Sequence, residues 1–298
     1  MPGARPGQGG FQLSGPVACA RTTDSGMGPT TAGRRRSARW KDSRRLPARE
    51  RLMFPGAVDA PVAGILDLPD GPPRGTVLYA HCFTCSKDTI ASARICRELV
   101  DAGFAAARID FTGLGESGGA FRDTSFNTNI EDLVLAAEHL AGLGSAPDLL
   151  VGHSLGGAAV LASAAHIPGV RGVATVAAPC TVTALHRHFT AQRARIERDG
   201  EADVPLAGRP LTITREFVHD LDRHDIAGSV ARLGVPVLFV HAPGDREVPL
   251  ADAERLYAAA REPRELVTLD DTANHLLTRP GSAARAGRII AQWAARVV

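Results

Sequence analysis

The sequence predicts an α/β protein with a mostly parallel central sheet and helices on both faces. Three observations carry that prediction. Short apolar runs alternate with amphipathic stretches from residue 58 onward, the rhythm of strand then helix, repeated. Turn-forming clusters, such as Pro69-Asp70-Gly71-Pro72-Pro73, separate the runs. The chemically suggestive residues fall just after the apolar runs, where loops leave the C-terminal edge of such a sheet.

In chain order, Val62–Leu68 reads as the first strand and Thr76–Ala80 as a short buried one. Thr89–Ala102 is helical, with Ile90, Ala93, Ile95 and Leu99 apolar and Gly103 just past the end. Phe104–Ile109 is a strand, Asn129–Leu140 a helix, Leu149–Val151 a strand and Leu155–His166 a helix. Strands at Gly172–Ala177, Val235–His241 and Glu265–Leu269 follow, with helices at Ala251–Ala260 and Ser282–Arg296. Residues 181–230 break the rhythm. They hold no strand of the central type, but 204–213 looks like a hairpin leading into a helix at Thr214–Leu221. An insertion of this length at the sheet edge is expected to be a lid or cap. The core is then 52–180 with 231–298.

Charge divides the 298-residue chain differently. It holds 34 basic and 32 acidic side chains, of which 11 and 3 lie in residues 1–51, leaving 23 and 29 for the rest. A basic leader thus precedes an acidic globular part. The leader is rich in Gly, Pro, Ser and Thr and cannot bury enough apolar surface to offset its ordering entropy. It is expected to be disordered, with Met53 close to the first structured residue. Arg34, Arg35 and Arg36 are followed by no apolar run, so they do not make an export signal. No stretch is long and apolar enough to span a membrane, and the net charge of +2 argues against a nucleic-acid partner. A cytoplasmic location is expected. The five cysteines make no disulfide framework, and one CxxC, Cys82 to Cys85, lacks the second pair that a zinc site needs. Both cysteines are expected to be packed, reduced and non-catalytic.

Two segments fit G-x-S-x-G, Gly152-His153-Ser154-Leu155-Gly156 and Gly115-Glu116-Ser117-Gly118-Gly119. Only Ser154 stands between a buried strand and a helix-forming stretch, the setting that exposes a serine hydroxyl on a strained turn. Small residues at 152 and 156 let neighbouring backbone approach that turn. Gly113–Gly118 also fits G-x-G-x-x-G, but no helix opens at its last glycine to hold a pyrophosphate. A serine hydroxyl needs a base, and the base needs an acid to orient it. His275 follows the last strand and Asp245 the strand before it, so both emerge at the same edge as Ser154, in the chain order Ser, Asp, His. As a turn residue Asp245 could equally cap its own loop. Asp110, at another strand end, reads as an anchor for the loop after it.

The segments Tyr79–Asp88, Ile109–Ser117 and Gly152–Gly157 resemble those of the α/β-hydrolase superfamily. More narrowly, they resemble the hydrolase half of bacterial proteins that fuse such a hydrolase to an OsmC-like domain. The resemblance covers about residues 52–298. It implies that the backbone N–H groups of Phe83 and Leu155 form the oxyanion hole, although Cys82 stands where many relatives have glycine. It also implies a functional link to a separate OsmC-like protein.

The expectation is a serine hydrolase acting on a small-molecule acyl ester. Ser154, His275 and Asp245 are the catalytic residues, Gly152, His153 and Gly156 the elbow, and no metal or other cofactor is required. A peptidase or acyltransferase would use the same residues. A thiol redox protein built on Cys82 and Cys85 is the rival of a different class.

Overall fold

In the computed structural model, which describes residues 49–298, the chain opens with an antiparallel pair, β1 (Arg49–Pro55) and β2 (Pro61–Asp67). It continues through β3 (Thr76–Ala80), α1 (Ile90–Asp101), β4 (Ala105–Ile109), α2 (Phe126–Gly142), β5 (Leu149–His153), α3 (Leu155–Ser163) and β6 (Gly172–Val176). Between β6 and the next sheet strand lie a 3₁₀ segment at Val182–Gln192, α4 (Arg193–Asp199), a hairpin of β7 (Glu201–Leu206) and β8 (Arg209–Thr214), α5 (Arg215–Leu221) and α6 (Ile226–Arg232). The chain closes with β9 (Val237–His241), α7 (Leu250–Ala259), β10 (Arg264–Thr268) and α8 (Ser282–Val297).

The eight-stranded sheet has the order β1-β2-β4-β3-β5-β6-β9-β10, antiparallel at β1 and β2 and parallel from β4 onward. The central strands are buried on both faces, which is why they read as continuous apolar runs. On one face Val77, Tyr79, Val151, Val176 and Val240 share a core with Ile95 and Leu99 of α1 and Ile290 and Trp293 of α8. The period of two turns Leu78, Leu150, Val173 and Phe239 to the other face, where α3 packs on β3, β5 and β6 with α2 and α6 beside it. Nearly every residue of α3 is buried, so this helix has no solvent stripe to show as periodicity. Local signals fix the helix starts. Thr89 caps α1 by accepting from Ser92 N, and Ser125 and Thr128 form a reciprocal capping box on α2.

The sequence placed the first strand near Val62 and ended the leader at residue 51. The fold begins earlier, because Arg49–Pro55 pairs along its whole length with Pro61–Asp67. Leu52 and Phe54 point inward while Arg51, Met53 and Pro55 point out, so the alternation is present but adjoins a basic run. Residues 1–48 of the expected leader lie outside the described residues. The predicted hairpin and its following helix are β7, β8 and α5. Ala202, Val204, Leu211 and Ile213 bury one face of that hairpin.

Candidate active site

Loops from the C-terminal ends of β3, β5, β9 and β10 converge on one place. Ser154 lies between β5 and α3 with φ 56°, a left-handed conformation uncommon for a residue with a side chain. Its N–H is anchored to Val176 O at 2.8 Å. The turn is feasible because of its glycines. A Cβ on Gly156 would strike the carbonyl oxygens of Ala80 and His81, and one on Gly152 would strike the backbone of Gly156. Backbone cannot yield as a flexible side chain can, so the first turn of α3 sits directly on the end of β3.

Ser154, His275 and Asp245 form one hydrogen-bonded line. Ser154 Oγ lies 2.8 Å from His275 Nε2, and His275 Nδ1 lies 2.8 Å from Asp245 Oδ2. A carboxylate can only accept, so Nδ1 carries the proton and Nε2 is free to receive one from the serine. Asp245 also caps its own loop: Oδ1 accepts from Glu247 N at 2.8 Å and Val248 N at 3.0 Å. One oxygen of Asp245 therefore meets His275 and the other caps the loop. Burial alone would raise the Asp245 pKa, but the His275 bond and charge and the two N–H groups hold it below the ordinary value. The carboxylate stays ionised in a site where its side chain is wholly buried.

Ser154, His275, Phe83 and Leu155 line a cavity of about 320 Å³. Leu155 is the first residue of α3, so its N–H has no partner within the helix. Phe83 N donates to no backbone carbonyl among the described residues. The 3₁₀ segment brings Leu185, Arg187 and His188 to the cavity, and the hairpin turn brings Leu206 and Ala207. Arg187 donates to Glu247 O at 2.5 Å and to Glu247 Oε2 at 3.0 Å, tying the 3₁₀ segment to the loop that carries Asp245. A larger cavity, about 680 Å³, lies near β2 and α1, away from these residues.

The expectation for Cys82 and Cys85 is corrected. They are joined in a disulfide that brackets Phe83 and Thr84. A turn closed by Cys85 N to Cys82 O brings the Cα atoms to 5.3 Å, within bonding reach. Thr84 inside it has φ 57°. Free thiols among the described residues are Cys96, buried with its pKa pushed up to about 12 by burial, and the half-buried Cys180.

The sequence singled out Asp110 as an anchor without its partner. Asp110 and Lys87 are both buried, with Lys87 Nζ 2.8 Å from Asp110 Oδ2 and 2.8 Å from Glu116 Oε2. Lys87 N and Glu116 N also donate to Asp110, at 2.6 and 2.8 Å. Burial opposes the charge on Lys87, but these carboxylates outweigh it and hold its pKa above the ordinary value. The other serine of the G-x-S-x-G pair, Ser117, is structural: its Oγ donates to Asp110 O and accepts from Ala63 N. His81 accepts from Phe111 N through Nε2 and donates to Cys82 O through Nδ1. The loop bearing Phe83 is thus fastened on both sides. Among the described residues, no cluster of His, Cys, Asp and Glu could hold a metal ion, and no helix is long and apolar enough to cross a membrane.

The chain is similar to several known proteins. The family described as serine aminopeptidase, S33, matches residues 71–199. The esterase domain of a Rhodothermus marinus protein is 39% identical, with a TM-score of 0.67, over 83% of this chain and 98% of that one. Est1E from Butyrivibrio proteoclasticus, solved with ferulic acid bound, is 19% identical, with a TM-score of 0.70, over 83% of this chain and 99% of that one. The uncharacterized protein YfhR of Salmonella typhi is 27% identical over 164 residues, 54% of this chain and 52% of that protein. The chain spans about half the length of the curated relatives it matches. With the sheet order, the strand–turn–helix at Ser154 and these likenesses together, the chain belongs to the α/β-hydrolase superfamily.

Proposed function

We propose that this hydrolase cleaves small carboxylic esters through a covalent acyl-enzyme on Ser154. The observation that carries the reading is the unbroken line from Asp245 Oδ2 through His275 to Ser154 Oγ, opening on a cavity. His275 Nε2 takes the hydroxyl proton as Oγ attacks the ester carbonyl. Asp245 holds the imidazole in the required tautomer and stabilises the imidazolium. The N–H groups of Phe83 and Leu155 receive the negative oxygen of the tetrahedral intermediate, in a site where little has to reorganise as charge develops. His275 then returns its proton to the leaving alcohol. Water, activated by the same imidazole, releases the acid and restores the serine.

The cavity favours an ester with an apolar acyl group over a peptide amino terminus. Phe83, Leu155, Leu185, Leu206, Val248 and Leu276 are among its lining residues. An aminopeptidase needs a carboxylate for the substrate ammonium. The one acidic lining residue among those described, Glu247, is already paired with Arg187. The 39% identical esterase domain agrees with the ester reading. The finer likeness, to the hydrolase half of hydrolase–OsmC-like fusions, rests on the motifs around Cys82, Asp110 and Ser154. It makes a separate OsmC-like protein the partner to test.

The deciding experiment combines turnover of p-nitrophenyl acetate and butyrate with fluorophosphonate labelling. The wild type should do both. Ser154→Ala should lose both, with kcat falling by roughly 10⁴ or more. Label mapped to any serine other than Ser154 would refute the assignment.

A further inference from the structure

We propose that His153 is a positioning residue for the reaction, holding His275 in register through the main-chain carbonyl of His275 itself. This goes beyond the elbow role that G-x-S-x-G gives the position, and it rests on the hydrolase reading above.

His153 is the last residue of β5 and the immediate neighbour of Ser154. Its ring is buried, and Nε2 lies 2.8 Å from His275 O. A carbonyl oxygen only accepts, so Nε2 carries the hydrogen and donates it. The two imidazole rings are neighbours, with centroids 5.4 Å apart and planes tilted by 38°. Residue 153 therefore joins the strand that bears the nucleophile to the loop that bears the base.

That loop needs the tie. Within it, Ala273 N donates to Asp270 O, Leu277 N to Asn274 O, and Asn274 and Thr278 bond each other. All of these are local turns. From outside the loop, the hydrogen bonds that reach residues 273–277 come from Ser154, Asp245 and His153, among the described residues. The first two touch the imidazole and change during turnover, as the Ser154 proton moves and the ring becomes charged. The His153 bond touches the main chain and is unaffected by those steps. Ala273 and Leu277 pack into the core on either side of His275, and the His153 bond is the hydrogen bond that can set the position of the His275 main chain between them while the others are remade.

The chemistry of His153 suits a tether. Its Nδ1 is buried without a partner, so protonation there would bury an uncompensated charge. Burial, with the neighbouring His275 next in effect, pushes its pKa down to about 4. At neutral pH the ring is an uncharged donor and places no positive charge beside His275 when that residue becomes an imidazolium.

The test compares wild type with His153→Leu, His153→Gln and His153→Asn. Glutamine can present an N–H close to where imidazole Nε2 lies; asparagine is one bond too short. The readouts are kcat and KM for p-nitrophenyl acetate, the fluorophosphonate labelling rate, the melting temperature, and the downfield proton resonance of the His275 Nδ1–H bonded to Asp245. We expect His153→Leu to lose at least about 30-fold in kcat and in labelling rate. KM should stay within about threefold and the downfield resonance should be lost. His153→Gln should return kcat to within about fivefold of wild type, and His153→Asn should resemble His153→Leu. If His153→Leu does not fold, the glutamine and asparagine variants decide the matter alone. Equal kcat in those two, or a His153→Leu variant within about twofold of wild type with its resonance intact, overturns the proposal. Failure of the hydrolase reading looks different: wild type itself would turn over no ester and take no label. The resonance would then still report whether His153 holds His275.

Discussion

Removing the Lys87 ammonium should cost more stability than any surface ion pair in this protein. Lys87 and Asp110 side chains are 1% and 0% exposed, so neither charge has recourse to water. In Lys87→Met, Asp110 keeps two backbone donors, Lys87 N and Glu116 N, and loses its only cation. Breaking a buried pair from one side typically costs about 3–5 kcal/mol, because the remaining charge stays buried and uncompensated. In a fold of this size that is a drop of roughly 10 °C in melting temperature. Glu116 also contacts Lys87 at 2.8 Å, but its side chain is 62% exposed. Glu116→Gln should cost below about 1 kcal/mol, since solvent screens that contact. Distance is equal in the two cases, and burial decides the outcome. Urea unfolding of Lys87→Met, Asp110→Asn, the double variant and Glu116→Gln measures all of this. The double variant should be no worse than Lys87→Met, a coupling of about 2 kcal/mol or more. Because Phe83 lies on the same loop, kcat should fall with KM little changed. A Lys87→Met penalty below about 1 kcal/mol, or exact additivity, would refute the reasoning.

The remaining predictions concern other links in the chain. Phe54→Ala should destabilise by about 3 kcal/mol by urea unfolding, because the ring is buried and stacks on His139 at 5.0 Å; a neutral result would mean that β1 is not part of the fold. Native mass spectrometry should find Cys82 and Cys85 joined until a thiol or phosphine reductant is added, with Cys180 reacting before Cys96. Gly156→Ala should lose fluorophosphonate labelling even if the protein still folds, because the added methyl meets the backbone of Ala80 and His81. Stability should fall as pH drops from about 6.5 toward 4. The unfolded chain protonates residue 153 near its ordinary 6.5, whereas the folded chain resists until about 4, so the unfolded state binds more protons in that window. The full effect is roughly 3 kcal/mol, and a His153→Gln variant should show a shallower slope.

The parts legible in the sequence were those with a local cause. Ser154 was separable from Ser117 because a buried strand before it and a helix after it leave only one kind of turn between them. Asp245 and His275 were readable from their places after two successive strands. What escaped depends on distant or geometric partners. Arg49–Pro55 becomes a strand by pairing with Pro61–Asp67, and the arginines around it looked like a solvated leader. Cys82 and Cys85 could not be called bonded without the turn that brings them together. Asp110 was recognised as an anchor, but Lys87 lies 23 residues earlier and nothing in the spacing paired them. His153 meets a carbonyl 122 residues away.

The same division explains how the site reaches its geometry. Ser154 and His275 are connected through the sheet by three registers: His153 opposite Val176, Val176 opposite Val240, and His241 opposite Thr268. Register is a coarse instrument, because a slip of one residue moves a strand end by about 3.3 Å. That exceeds the 2.8 Å of the bond it must produce. Parallel pairing can therefore deliver the three loops to the same edge but cannot set their final separation. The fine adjustment comes from contacts beside each functional residue. His153 adjoins Ser154 and holds the His275 loop. Gly244 adjoins Asp245 and lets the Asp271 carbonyl approach closely, where a Cβ would strike it. Lys87 and the Cys82–Cys85 disulfide fasten the loop of Phe83 on either side. A substitution at His153 or Gly244 should thus leave the fold's topology intact and act on kcat, while one at Lys87 should act on stability and kcat together.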